Sequence, residues 1–316
     1  MDQGGLLERL EGTHQIPATF QELDARYGIK LHALFHPCLE TLTDALTARF
    51  DYFGMARRGI VPITHYLEIT ATGESLALRR PLVQRYTVEL FRADATPAPT
   101  PPERPRERLL LDQRVEVEGF RRSGSERDLG FDDGQGPPVK AGSFRVIQVF
   151  TRPLAPPGQR QVGEVPEEFR RLRERPFAGS LPSPESLWAE GKDYQGVACE
   201  NPPEAPRIWG RGNTDINHHV TVTEYLRALE NHFVQLLHLA GLPVPQHRMS
   251  RLRCIFRRPF FAGDVFCVRG RPLRNGPLTQ MHAGIYKWLE DEGFEAQPSI
   301  AACLDGVFEE DAPPRP

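Results

Sequence analysis

The sequence carries one order of elements twice, and this repetition constrains the fold more than any other feature. The segment HPCLETLTDALTARFDYFGMARRGI, from His36, lies over HHVTVTEYLRALENHFVQLLHLAGL, from His218, at an offset of 182, which carries Gly59 onto Gly241. Downstream, LALRRPL with Arg79, Arg80 and Pro81 lies over CIFRRPF with Arg257, Arg258 and Pro259 at an offset of 178. A four-residue difference in loop length reconciles the two offsets. Two related units also suit a chain of 316 residues, which exceeds the usual single-domain size.

In the second half, Val222, Tyr225, Leu226, Leu229, Phe233, Leu236 and Leu237 recur at spacings of three and four, the period of a helix that buries one face. Thr221 and Thr223 are N-cap candidates and Gly241 followed by Pro243 is a stop, so the spacing predicts a helix over 223–240. Segments rich in Val, Ile, Tyr and Phe follow each helix: 82–92, 109–121 and 143–151 in the first half, and 252–260, 264–272, 279–289 and 299–304 in the second. This pattern predicts an α+β protein with two antiparallel sheets, each wrapped around a long central helix. The expected divisions are a first unit over 1–152, a Pro-rich linker over 153–212 and a second unit over 213–316. Phe177, Leu181, Leu187, Trp188 and Trp209 imply that the linker packs on the surface. Pro-rich 93–108 and Gly- and Asp-rich 123–142 read as irregular connections.

The sequence NTDINHHVTVTEYL places Asp215, Asn217 and His219 at alternate positions just ahead of the second helix. In an extended segment all three point to one side while Ile216 and His218 point to the other. An acid, an amide and an imidazole that converge can orient and activate water, and N–H groups near Val220 and Thr221 at the helix start would receive an oxyanion. Two blander readings stand beside this one. The trio could be a capping and turn cluster, or Asp215, His218, His219 and His232 could hold a metal, although no single conformation obviously converges them. The first half has Ala33, Phe35 and Pro37 at the corresponding positions, so it carries no evident polar site.

The pattern D-x-N-x-H-V, followed by a helix containing Y-L-x-x-L-E, is present as Asp215, Asn217, His219, Val220, Tyr225, Leu226, Leu229 and Glu230. It resembles the hot-dog-fold acyl thioesterases, and most of all the acyl-carrier-protein (acyl-ACP) thioesterases that carry two hot-dog domains in one chain. The enoyl hydratases of the same fold have D-x-N-x-x-H, where this chain has Val220. The resemblance implies a double hot-dog, one site per chain, and hydrolysis of a thioester on acyl carrier protein or coenzyme A by Asp215, Asn217 and His219, with no cofactor. One departure is plain. The resembled enzymes place an acidic residue beside a cysteine on the strand that follows the helix, in the form Y-R-R-E-C, and this chain has Phe256, Arg257, Arg258, Pro259 and Phe260. Glu224 or Glu230 could substitute. The loss also leaves open a dehydratase, cyclase, decarboxylase or acyltransferase acting on carrier-tethered polyketide or fatty acyl thioesters, or a non-catalytic acyl- or partner-binding scaffold.

Cys38, Cys199, Cys254, Cys267 and Cys303 form no C-x-x-C pair, which argues against a zinc knuckle or a disulfide framework. No apolar run is long enough for a membrane span and the start, MDQGGLLERLEG, lacks the regions of a signal peptide, so a cytoplasmic protein is expected. A net charge of −3 gives no reason to bind nucleic acid, but 35 of the 39 cationic side chains are Arg, a residue suited to phosphate or an acidic carrier protein. Two joined hot-dogs already replace the dimer of single-domain relatives, so either a monomer or a homodimer is expected.

Overall fold

The computed structural model describes residues 6–17, 19, 22–24, 27–77, 80–94, 107–122, 136–188, 194–197, 206–215, 218–242, 247–288 and 298–310. Most of the irregular tracts expected around 93–108 and 123–142, together with Arg79, Asn217 and Cys199, lie outside the described residues. The chain divides into two compact units: one of residues 1–29, 33–67 and 72–181, the other of 30–32, 68–71 and 182–316. The Pro-rich tract is thus shared, passing from the first unit to the second between Leu181 and Pro182.

In the first unit the elements are β1 (Leu10–Ile16), α1 (Leu31–Thr47), α2 (Tyr52–Arg57), β2 (Val61–Ala71), β3 (Leu82–Asp94), β4 (Glu107–Phe120), β5 (Pro138–Thr151) and the short β6 (Glu174–Pro176). β1 pairs antiparallel with β3, β3 with β4 and β4 with β5. Long α1 lies on one face, where Phe35 meets Phe144 edge-on at 5.2 Å and the buried Gln84 donates to the Cys38 carbonyl. The helix begins nine residues earlier than the repeat alignment implies, so Ala33, Phe35 and Pro37 lie inside it rather than ahead of it. It also breaks after Thr47: Phe50 is buried against Phe169, and Asp51 restarts the chain as the N-cap of α2 by accepting from the Gly54 N–H.

The second unit contains α3 (Pro184–Trp188), β7 (Gln195–Gly196), β8 (Arg207–Ile208), α4 (Val222–Leu239), β9 (His247–Phe256), β10 (Val265–Asn275), β11 (Leu278–Lys287) and β12 (Ser299–Glu310). Its sheet is antiparallel in the order β9-β12-β11-β10, with β7 and β8 along the outer edge of β10. The amphipathic α4 matches the expected helix within one residue at each end and packs on this sheet, with Phe233 stacked on Phe308. Gly270 lets the helix approach closely, since a Cβ there would lie 3.2 Å from the His232 ring and 3.1 Å from the Met281 sulfur.

The repeat is most exact where the helices end. Gly59 and Gly241 take φ values of 72° and 67°, the left-handed conformation that favours Gly. The Ile60 N–H reaches back to the Met55 carbonyl and the Leu242 N–H to the Leu237 carbonyl, closing both helix ends alike.

Each sheet also buries an acid on the face opposite its helix. Asp112 accepts from the Arg145 guanidinium at 2.9 and 2.7 Å and lies 3.0 Å from that of Arg114. Asp305 accepts from Arg253 at 2.9 and 2.7 Å and from Gln280 at 2.5 Å. The Pro-rich tract covers both clusters: Arg145 lies over the Phe177 ring, Arg253 donates to the Leu187 carbonyl, and the Trp188 indole donates to the Leu304 carbonyl. Removing one partner of such a pair leaves the other charged and buried, at a cost of about 3–5 kcal/mol. Asp305→Ala, which strands the buried Arg253, is therefore expected to lose stability of that order in urea unfolding, well beyond the loss from truncating an exposed acid such as Glu11.

Candidate active site

Between Thr214 and Val220 the chain forms a tight antiparallel hairpin rather than the extended run expected from the sequence. The Asp215 N–H donates to the His219 carbonyl, the His218 N–H to the Asp215 carbonyl, and His218 takes φ 62°. A connection that closes on a left-handed residue is common in hairpins, and here it sets Asp215 opposite His219. Asp215 and His219 face each other across the hairpin instead of sharing one side of a strand. Asn217 lies between them in sequence and outside the described residues.

The Asp215 carboxylate accepts from the His219 backbone N–H at 3.1 Å, so it clamps the hairpin through the main chain. Asp215 is exposed and His219 partly so. The His219 ring lies 5.1 Å from that of Phe261, and the two residues form an isolated antiparallel bridge. Immediately after the hairpin, α4 begins. The two N–H groups singled out as oxyanion donors are already committed: Val220 donates to the Phe260 carbonyl and Thr221 to the Asn213 carbonyl. Thr221 is the N-cap, but its hydroxyl makes no capping bond, and Thr223 lies within the helix. Among the described residues no acceptor meets the N–H groups of Val222 and Thr223, which are therefore the free donors at this helix start.

The supporting acids sit elsewhere. Glu224 accepts from the Asn213 side chain at 2.8 Å and from Arg227 at 2.6 Å, tying the turn over Arg211–Asn213 to the helix. Glu230 is two turns further along α4, and its carboxyl is pushed above the ordinary range by burial, against the opposing pull of Lys30 and Arg227. No group of three or more metal-ligating side chains exists among the described residues, and His232 faces Gly270 rather than His218 or His219.

An aromatic cluster that the sequence did not reveal supports the hairpin from below. Trp209 is buried and stacks on Phe266 at 3.8 Å, with Tyr225 and Phe260 at 6.1 and 5.9 Å. Phe260 is fully buried where the resembled enzymes have a polar residue, and Phe261 beside it is 39% exposed. The Phe261 N–H donates to the Asp264 carboxylate at 2.6 Å, and that carboxylate meets the Lys287 ammonium at 2.5 Å. The one available hint was compositional, since Lys287 is one of only four lysines. A cleft of about 550 Å3 in the first unit, lined by Arg58, Arg152 and Arg170 among others, contains none of the candidate residues.

The buried thiols are held protonated: burial pushes Cys38 up to about 12 and Cys303 up to about 11, and raises Cys254 as well. Burial drives His232 the other way, down to about 4, with Arg207 adding to the shift. An ordinary His titrates near 6.5, so between about pH 6.5 and 4 the unfolded chain binds a proton that folded His232 refuses. Stability contributed by neutral His232 is therefore complete above that window and falls as the pH falls through it. Urea unfolding at pH 7.5 and 5 should show the wild type losing on the order of 2 kcal/mol more than His232→Gln, and equal losses would remove this assignment.

Among solved structures, the chain is similar to an acyl-ACP thioesterase from Bacteroides thetaiotaomicron, with a TM-score of 0.57 and 14% identity over 95% of this chain and 98% of that one. It is similar to the same degree to a protein described provisionally as an oleoyl thioesterase from Lactobacillus plantarum, with a TM-score of 0.57 and 14% identity over 96% and 97%. No protein-family model and no curated protein sequence matches the chain. The structural likeness gives the fold: an α+β double hot-dog, as the motif and the internal repeat implied. No helix among the described residues is long and apolar enough to cross a membrane.

Proposed function

We propose that the protein hydrolyses acyl thioesters at the amino end of α4, with coenzyme A or acyl carrier protein as the thiol carrier. One observation carries the reading: the hairpin presents Asp215 and His219 directly before a helix whose Val222 and Thr223 N–H groups have no acceptor among the described residues. Its fold is shared with proteins described as thioesterases, one of them acting on acyl-ACP.

In this mechanism the thioester oxygen lies against the Val222 and Thr223 N–H groups, where the helix dipole favours developing negative charge. The His219 imidazole takes a proton from water as its oxygen bonds to the carbonyl carbon. Collapse of the tetrahedral intermediate breaks the C–S bond, and the imidazolium returns its proton to the departing thiolate. A thiol of pKa about 8.5 is a good leaving group, so no strong separate acid is needed. Asp215 fixes the hairpin through the His219 N–H, and Asn217 orients the water. The reading assigns one site per chain, in the second hot-dog: ahead of α1 the first unit has a matching turn in which Asp24 accepts from the Gly28 N–H at 2.9 Å, and Gly28 stands there where the second unit has His219.

A second reading rests on Pro259 and buried Phe260, which stand in place of an acid and a cysteine. Without them the same site would suit dehydration, cyclisation, decarboxylation or acyl transfer on a carrier-tethered chain.

Thiol release from a panel of acyl-coenzyme A and acyl-carrier-protein thioesters separates these readings. Hydrolysis predicts turnover by the wild type, reduced by about 10²- to 10⁴-fold in His219→Ala and substantially in Asp215→Ala. Full turnover by His219→Ala would sink the assignment of the base. A changed acyl mass with the thioester intact would favour the second reading.

A further inference from the structure

The turn between β9 and β10 is the second wall of the candidate site, and its organisation is not explained by packing alone. Phe261 is 39% exposed, yet three separate contacts hold it in place. Its backbone bridges to His219, its N–H donates to the Asp264 carboxylate at 2.6 Å, and its ring lies 5.2 Å from the Lys287 ammonium. The preceding residue continues the pattern. The Phe260 carbonyl accepts from the Val220 N–H at 2.8 Å, and the Phe260 ring lies 5.6 Å from the same ammonium.

Lys287 and Asp264 therefore form the hub of this wall. Their side chains are only 13% and 16% exposed, the ammonium is 2.5 Å from the carboxylate, and it donates to the Pro259 carbonyl at 3.3 Å. A single ammonium thus engages a carboxylate, a carbonyl and two aromatic faces. That task suits a compact point charge with three donors and not the planar fork of Arg. The choice is notable in a chain with 35 Arg and four Lys. A pair this sheltered from water also has a defined geometry, unlike a flexible surface ion pair.

We infer that Asp264 and Lys287 are positioning residues for His219, acting through the Phe260–Phe261 segment. Asp264 sets the Phe261 backbone, Lys287 locks the turn from its other side, and the turn holds both ends of the His219–Val220 segment. The kinetic part of this inference rests on the hydrolase reading above, and the structural part does not.

The test uses Lys287→Met and Asp264→Asn in the full chain, each first checked for a native circular dichroism spectrum. Both should lower kcat about 10- to 100-fold with KM within about two-fold, because displacement of a reacting group costs rate and not ground-state binding. In a His219→Ala background neither substitution should cost anything further, whereas losses that simply add would overturn the inference. Hydrogen exchange supplies an arm independent of activity: the Val220, His219 and Phe261 amides should exchange at least about ten-fold faster in both variants, while amides in the middle of α4 keep their protection. Unchanged exchange at those three amides, or a uniform increase throughout the unit, would overturn it. Wild-type protein without turnover would refute the hydrolase reading alone, since exchange still decides the positioning role.

Discussion

Burial of α4 against its antiparallel sheet is the constraint on which the rest of the second unit depends. The stripe of Leu226, Leu229, Phe233, Leu236 and Leu237 leaves the helix no alternative to an apolar surface, and the sheet supplies one through residues that include Phe308, Met281 and Gly270. Because the helix is pinned along its length, its amino end is a fixed point. The Thr214–Val220 hairpin enters there, and the free N–H groups of Val222 and Thr223 acquire a fixed direction. Preorganised donors of this kind need no rearrangement when charge develops nearby.

The opposite faces of the sheets follow a different rule. There Asp112 and Asp305 are buried with arginines, and segments of the Pro-rich tract lie over them. An antiparallel sheet can leave one face to water, but these faces are covered, so their polar side chains must find partners within the protein. The tract is thereby integral to both units. Trp209, at its end, is buried among Phe260, Phe266 and Tyr225 directly beneath the hairpin.

Helix α4 was legible from its 3.6-residue period, and strands β3 to β5 and β9 to β12 from their runs of Val, Ile, Tyr and Phe, which together gave the α+β class. The helix ends at Gly59 and Gly241 were equally legible, since left-handed backbone restricts the residue that can occupy it. Strands β1 and β2 were missed: β1 is mostly polar along LEGTHQI, and β2 carries a Pro and two Thr among its apolar residues. The start of α1 was misplaced because the repeat alignment carried the start of α4 onto it, whereas α1 begins earlier and runs through Pro37.

The site divides in the same way. The sequence by itself determined that an acid and an imidazole would precede a long buried helix, since that depends only on residue type and order along a few turns. It could not determine where they point, because the left-handed His218 converts an apparent strand into a hairpin and turns Asp215 toward the His219 main chain. Nor could it show that the Val220 and Thr221 N–H groups are consumed by Phe260 and Asn213, or that Asp264 and Lys287 stand behind Phe261. Val220 with Phe260 and Asp264 with Lys287 join residues tens of positions apart, and only the pairing of β10 with β11 and the packing of the turns around α4 bring them together.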